Sequence, residues 1–271
     1  FKNVKCNTNC LNDIQNSDWN KYKIAFITKD VMNNPSPPFI TTSLQFEVYN
    51  KLNINSKLCM QLAQQLYENG LITYMRTDSF NMSEKSKSML LDYIQDEYGE
   101  KYKHKRTYKT TVKNAQEAHE AIRITDIAKK IIDFPYITNQ HKQVYELIWK
   151  RTISTQMASA IYKEYTYYIT YEKIQFSCIK KCLVFDGFLK IYNIKLDHVK
   201  LFNIIETHVK LMQANLKSII GKSPTLYNEP SLIKTLESKG IGRPSTYSNI
   251  IQTLTSKKYV TIGHNPDKNI E

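Results

Sequence analysis

Three short segments carry side chains whose types and spacing suit work on a phosphate. The first runs Gly70-Leu71-Ile72-Thr73-Tyr74-Met75-Arg76-Thr77-Asp78-Ser79. Tyr74 and Arg76 are two apart, so extended backbone points both side chains to one face. A phenol titrates near pH ~10 and is mostly protonated at neutral pH. A neighbouring cation favours the phenolate, and a guanidinium also holds a phosphate oxygen in its planar fork. A tyrosine attacking phosphorus needs that partnership. The same spacing also describes a buried strand tyrosine beside a surface Arg76–Asp78 pair.

The second segment is Asn114-Ala115-Gln116-Glu117-Ala118-His119-Glu120-Ala121-Ile122-Arg123. Asn114 with Glu117 three later reads as a variant capping box, which predicts a helix from about Ala115 to Arg123. Gln116, His119, Glu120 and Arg123 would then share one face. A histidine among carboxylates shuttles a proton or bonds a phosphate; an ordinary solvated helix face has the same pattern. Metal ligation by Glu117, His119 and Glu120 is disfavoured, because the spacing is not the two-histidine helical pattern of zinc hydrolases. The third segment is Ser238-Lys239-Gly240-Ile241-Gly242-Arg243-Pro244-Ser245-Thr246-Tyr247. Two glycines permit a tight turn, and Pro244 suits a first helical turn. Arg243, Ser245, Thr246 and the free N–H groups would form an anion site at a helix N-terminus. A plain turn between packed helices, or a helix-turn-helix, fits the same residues.

The elements that must position these segments alternate in character. Tyr22–Ile27 reads as a strand, and Asn33-Asn34-Pro35-Ser36-Pro37-Pro38 as a boundary. Helices are expected over Thr42–Leu52, from a Ser56 cap to Glu68, and over Ser83–Glu97 with Ser83 as cap. Asn69-Gly70 ends the second of these, and Leu71–Tyr74 follows as a short extended piece. Lys101–Lys113 is basic and reads as a loop. A helix is expected from Asn139 to about Ile161. Tyr165–Lys195 alternates as strands do, with Phe185-Asp186-Gly187-Phe188 as a turn between them. Helices return over Ser231–Ser238 and Pro244–Ser256. The order β, α, β, α suggests a helical domain inserted into a β-rich one.

The chain has 271 residues, with 38 Lys and Arg against 25 Asp and Glu, a formal charge of +13. That surplus favours a polyanionic partner, nucleic acid before an anionic membrane, although heavy Asn, Ile, Lys and Tyr usage also points to an AT-rich coding sequence. No run of about 18 apolar residues exists, which argues against a membrane span. Cys6, Cys10, Cys59, Cys178 and Cys182 lack knuckle turns and read as free thiols rather than zinc ligands. The opening Phe1-Lys2-Asn3 has no Met and reads as the interior of a longer chain.

Together the three segments resemble the type IA DNA topoisomerases, most closely the bacterial topoisomerase I branch. Gly70–Ser79 is similar to that family's Tyr-x-Arg-x-Asp-Ser segment, Asn114–Thr125 to its Gln-Glu-Ala-His-Glu-Ala-Ile-Arg segment, and Gly240–Tyr247 to its Gly-Ile-Gly-Arg-Pro-Ser-Thr-Tyr segment. The resemblance spans about Tyr22 to Val260. It implies an α+β multidomain torus. Residues 1–33 and 160–226 would form a discontinuous β-rich hinge domain, 34–159 a mobile helical domain carrying the nucleophile, and 227–271 the start of a helical base domain.

It also implies an isomerase that cleaves and reseals one DNA strand, relaxing negative supercoils. Tyr74 would form a 5′-phosphotyrosyl bond, Arg76 would hold the scissile phosphate, and His119 would contact phosphate near the cut. Gln116, Glu117, Arg123, Arg243, Ser245 and Thr246 would grip the strand. The implied partners are single-stranded and negatively supercoiled DNA, bound by a monomer inside the cell, in cytoplasm, nucleoid or a DNA-containing organelle. The implied cofactor is Mg²⁺ without ATP. The family's acidic metal-binding domain has no counterpart in residues 1–271, so this chain is expected to be inactive alone. Ile124 stands where the family usually has Pro, and Phe80 where it has a smaller residue. A non-catalytic single-stranded-DNA-binding protein on the same scaffold is the alternative, and a purely structural helical adaptor a third reading.

Overall fold

The computed structural model describes residues 15–16, 18, 24–109, 119–171, 174–194, 226–261 and 263. They are α+β, and the chain divides into two compact units: Phe1–Asn34 with Ser159–Ser223, and Pro35–Ala158 with Pro224–Glu271.

In the first unit, β1 (Ala25–Asn33), β2 (Ala160–Tyr171) and β3 (Ile174–Phe185) form an antiparallel sheet in the order β1-β2-β3. Ala25 faces Tyr168 and Asn33 faces Ala160 on one side of β2, and Tyr171 faces Ile174 on the other. At the centre, Glu164 lies directly between Lys29 and Lys181, with ion-pair distances of 2.8 and 2.9 Å. Hydrogen bonds from the two ammonium groups hold the Glu164 carboxyl below the usual range. Register is pinned here, because slipping one strand by a residue would put Lys beside a non-acidic neighbour. The Ser159 hydroxyl donates to the Asn34 side-chain oxygen at 2.6 Å, beside the Asn33–Ala160 pair. The turn expected at Phe185–Phe188 is instead the exit of β3 into a 3₁₀ helix, Gly187–Tyr192. That helix buries Leu189 and Ile191, and left-handed Asn193 (φ 54°) ends it.

The second unit is built of helices α1 (Thr41–Leu52), α2 (Ser56–Glu68), α3 (Glu84–Tyr98), α4 (Asn139–Ser154), α5 (Glu229–Ser238) and α6 (Tyr247–Ser256). Leu44 and Val48 of α1, Leu62 and Leu66 of α2, Leu90 and Ile94 of α3, and Val144 and Ile148 of α4 are all buried. Each such side chain contributes about 1.5–3 kcal/mol by leaving water. Arg151 of α4 ties the entry of this unit together. Its guanidinium carbon sits 4.2 Å from the centre of the Phe39 ring, one Nη donates to the Pro37 carbonyl at 3.1 Å, and the other pairs with Glu47. Burial opposes ionisation of Glu47, but Arg151 and Lys51 outweigh it and hold the carboxyl below its ordinary value.

Capping decides several boundaries. Ser83 caps α3 as its sequence suggests, accepting from the Ser86 N–H. The cap of α2 is Asn55 and not Ser56: the Asn55 side chain accepts from Leu58 N at 2.9 Å, so Ser56 becomes the first helical residue. The basic segment after α3 is not all loop, since Glu100–Tyr102 makes a 3₁₀ turn before the chain extends. Helix α4 stops at Ser154, well short of Ile161. The Thr152 and Thr155 hydroxyls bond back to the Ile148 and Thr152 carbonyls, competing with the helical ladder. The Gln156 side chain then bonds the backbone N–H and carbonyl of Arg106, which draws the chain out of the helix.

Candidate active site

The segment carrying Tyr74 begins where α2 closes. Gly70 is left-handed (φ 66°), its N–H donates to the Tyr67 carbonyl at 2.8 Å, and Leu71 N donates to the Leu66 carbonyl at 2.9 Å. This paired closure needs a residue without a Cβ penalty at Gly70. The chain then runs extended beside residues 121–125. Ile72 bridges Ile124, Thr73 N donates to the Arg123 carbonyl (2.9 Å), and Thr125 N donates to the Leu71 carbonyl (3.1 Å). The Thr73 hydroxyl donates to the Ala121 carbonyl at 2.7 Å and accepts from Arg123 N at 2.9 Å. On the other flank, the buried Thr41 hydroxyl donates to the Met75 carbonyl (2.7 Å) and accepts from Thr77 N (2.9 Å). Met75 itself is buried. Residues 73, 75 and 77 are thus held from both sides, while Tyr74 is 44% exposed between them.

Residues 119–124 are extended and not helical. Over its described part, residues 119–123, the expected helix from Ala115 to Arg123 gives way to a period of two: Ile122 and Ile124 are both core residues, bridging Phe39 and Ile72. The one-face grouping of His119, Glu120 and Arg123 therefore does not hold. His119 is half-buried and lies two residues before the clamp on Thr73. Glu120 accepts from Ser83 N at 3.0 Å and pairs with Arg123 at 2.7 Å. Arg123 spends a second N–H on the Ile124 carbonyl, while its buried Nε has no partner among the described residues. Gln116 and Glu117 lie outside the described residues.

The glycine turn reaches the same place from far along the chain. An Arg76 Nη donates to the Ser245 carbonyl at 3.2 Å. Gly240 and Gly242 are both left-handed (φ 70° and 80°). A Cβ on Gly242 would come 2.9 Å from Ile250 Cδ1 and 3.1 Å from Tyr247 Cε1. Pro244–Thr246 form a turn, and α6 starts only at Tyr247, three residues later than its sequence suggests. The turn wins because the Thr246 hydroxyl accepts from Arg243 N at 2.8 Å and donates back to the Arg243 carbonyl at 3.1 Å. Arg243, Ser245 and Thr246 are exposed on it. Beneath it, Tyr247 is buried, and burial with the Glu237 and Asp78 charges pushes its phenol up to about 12.

The fold thus unites Tyr74, Arg76 and the Arg243–Thr246 turn on one unit, and sets His119 two residues before the stretch that braces Tyr74. Three residues that sequence reasoning passed over hold this together: Thr41, Thr73 and Thr77. Thr73 and Thr77 are β-branched hydroxyls beside Tyr74 and Arg76, too common a signal to single out, and Thr41 lies far from both in the sequence. Two acidic contacts were equally silent: Thr42 donates to both Glu237 oxygens (2.9 and 3.0 Å), and Ser56 N points at Glu229. Among the described residues no three His, Cys, Asp or Glu side chains are placed to hold a metal ion.

A family model described as DNA topoisomerase matches residues 1–268. DNA topoisomerase 1 of Rickettsia bellii is 39% identical over 261 residues, which cover 86% of this chain and 32% of that protein. The Fervidobacterium islandicum DNA topoisomerase 1 is 37% identical over 253 residues, covering 86% and 36%. The chain spans about a third of the length of these relatives. Full-length topoisomerase I from Thermotoga maritima superposes with a TM-score of 0.72 at 29% identity, over 96% of this chain and 44% of that one. With the tyrosine–arginine segment and the glycine turn now joined in space, these matches place the chain in the type IA DNA topoisomerase family.

Proposed function

We propose that this chain carries the strand-cleaving tyrosine of a type IA DNA topoisomerase, and that Tyr74 is that tyrosine. The Tyr74 phenol oxygen attacks a backbone phosphorus of single-stranded DNA. The bond to the 3′ oxygen breaks, the phenolic proton ends on that oxygen, and the 5′ phosphate remains on Tyr74 as a phosphodiester. The free 3′ hydroxyl reverses the step. Because the phosphotyrosine conserves the energy of the broken bond, resealing needs no ATP, and passage of another strand before resealing relaxes negative supercoils. The observation that carries this reading is the Arg76–Ser245 hydrogen bond. It couples the cation beside Tyr74 to the exposed turn bearing Arg243, Ser245 and Thr246. A guanidinium has five N–H donors, so with one spent on Ser245 the rest still serve a phosphate, pre-oriented by that anchor.

In this reading His119 bonds a phosphate near the cut, and Gln116, Glu117 and Arg123 lie along the strand. Arg123 has to leave Glu120 to make such a contact. Mg²⁺ would be held by residues other than the described ones and would orient phosphate. The hinge, mobile helical and base domains of a toroidal monomer are the arrangement this reading expects. The test uses a single-stranded oligonucleotide labelled at its 3′ end, incubated with Mg²⁺ and this chain supplied with the acidic metal-binding domain it is expected to need, and then denatured. Label should stay covalently on the protein, whereas a 5′ label should be released on a shorter fragment. Tyr74→Phe should abolish the adduct and leave strand binding within about twofold. An adduct that survives Tyr74→Phe refutes the assignment. Salt-sensitive strand binding with no adduct from the unaltered chain, even with that domain supplied, supports the non-catalytic reading instead.

A further inference from the structure

The backbone on both sides of Tyr74 is fixed, by Thr73 on residues 121–123 and by Thr41 on Met75 and Thr77. What stays undetermined by those bonds is the direction of the phenol. A side chain that is 44% exposed has several staggered wells open to it, and a nucleophile has to sit about 3–3.5 Å from the atom it attacks, in line with the leaving group. The ring of Tyr67 supplies the missing restraint. Its centroid lies 5.3 Å from that of Tyr74, with the two planes at 67°, in an edge-to-face pair.

Tyr67 is itself well placed to serve as a fixed reference. It occupies the last turn of α2, and its carbonyl accepts from Gly70 N while the Leu66 carbonyl accepts from Leu71 N. Helix end, glycine closure and braced strand therefore form one short rigid link between the two rings. Packing of the core does not account for the aromatic: Tyr67 is 40% exposed, and the residue beside it that fills the interior is Leu66. Edge-to-face pairing is electrostatic, the positive edge of one ring meeting the negative face of the other. It restrains direction as well as distance.

We propose that Tyr67 is a positioning residue that holds the Tyr74 phenol in the orientation from which it attacks the strand. The inference rests on Tyr74 being the nucleophile. The pair is one between rings, so the Tyr67 hydroxyl is dispensable to it. Loss of a ring pair of this kind should lower the competent population, and with it the rate of adduct formation, by roughly two- to tenfold. Strand affinity, set by the exposed turn, should be unchanged.

The experiment compares the protein with Tyr67→Leu and Tyr67→Phe. Leucine keeps apolar bulk and helix propensity but has no ring quadrupole; phenylalanine keeps the ring. Single-turnover adduct formation on the labelled oligonucleotide should fall in Tyr67→Leu at unchanged half-saturating strand concentration, and recover in Tyr67→Phe. In parallel, 3-fluorotyrosine placed at position 74 gives a ¹⁹F resonance that needs no DNA. It should be displaced by the neighbouring ring in the parent and in Tyr67→Phe, and relax to the solvent-exposed value in Tyr67→Leu. Equal ¹⁹F shifts in the parent and Tyr67→Leu overturn the proposal, as does a normal adduct rate in Tyr67→Leu. If the parent, supplied with the metal-binding domain, forms no adduct at Tyr74, the proposed reaction fails. The fluorine shift then still decides whether Tyr67 orients that ring.

Discussion

Replacing Thr73 by valine isolates the clamp behind the nucleophile. The substitution keeps the β-branched shape and deletes one hydroxyl. In the structure that hydroxyl gives its proton to the Ala121 carbonyl at 2.7 Å and takes one from Arg123 N at 2.9 Å. An orphaned N–H costs about 1–3 kcal/mol and a lost bond to a carbonyl about 1 kcal/mol, a sum of about 2–4 kcal/mol. Thr73 is only half-buried, so water recovers part of this, and the expected loss is about 2 kcal/mol. Thr73→Ser retains the oxygen and should lose no more than about 0.5 kcal/mol, the usual scale for a change without a lost partner. Urea unfolding followed by Trp149 emission reads the unit that holds Tyr74, with Trp19→Phe as the background to remove the other tryptophan. The linear extrapolation of each transition gives the difference. A Thr73→Val protein as stable as its parent, or a Thr73→Ser protein equally damaged, refutes the claim that this hydroxyl braces the site.

Three further outcomes are expected. Gly242→Ala should cost about 1–2 kcal/mol for the left-handed backbone, plus displacement of Ile250. Gly240→Ala, with open space around its Cβ, should cost only the former; thermal melts of the pair check the order. Glu237 and Glu47 should give stability–pH slopes of opposite sign. Burial and then Asp78 raise the Glu237 carboxyl despite its Thr42 bond, so its contribution is full below the unfolded value near 4.5 and fades as pH rises through the folded value. Glu47 is lowered, so its contribution is present above that value and fades as pH falls. Denaturation midpoints of Glu237→Gln and Glu47→Gln across pH 3–7 should each lose one slope, and equal slopes would contradict both assignments. Arg243→Ala should weaken single-strand binding and reduce the slope of log affinity against log salt by about 0.7, the share of one phosphate contact. An unchanged salt slope would take Arg243 off the strand.

Local signals carried much of the fold. Ser83 was readable as a cap because a short hydroxyl before Glu84 and a helical run has one common use. Gly70 was readable as a helix end for a similar reason. Where two signals competed, hydrogen bonding and burial decided: Asn55 took the cap from Ser56, and Ile122 and Ile124 bridge Phe39 and Ile72 although Asn114 and Glu117 suggest a helix. At the site, the pairing of Tyr74 with Arg76 is suggested by spacing, but the exposure of Tyr74 is not, because the same spacing describes a buried strand tyrosine. The bond from Arg76 to Ser245 does not, because it joins residues far apart in the chain through a backbone carbonyl that every residue possesses. The threonine clamps are hidden in the same way, and so is the Tyr67–Tyr74 pair, since a separation of seven across a helix end and a turn has no fixed geometry.

The Asn33–Ala160 pair and the bond from Ser159 to Asn34 mean that the chain departs from the sheet and rejoins it at neighbouring rungs. Everything between could be exchanged for a tight two-residue link, and β1 and β2 would still read as an unbroken hairpin. Lengthening or trimming the intervening stretch asks nothing of the strand alignment.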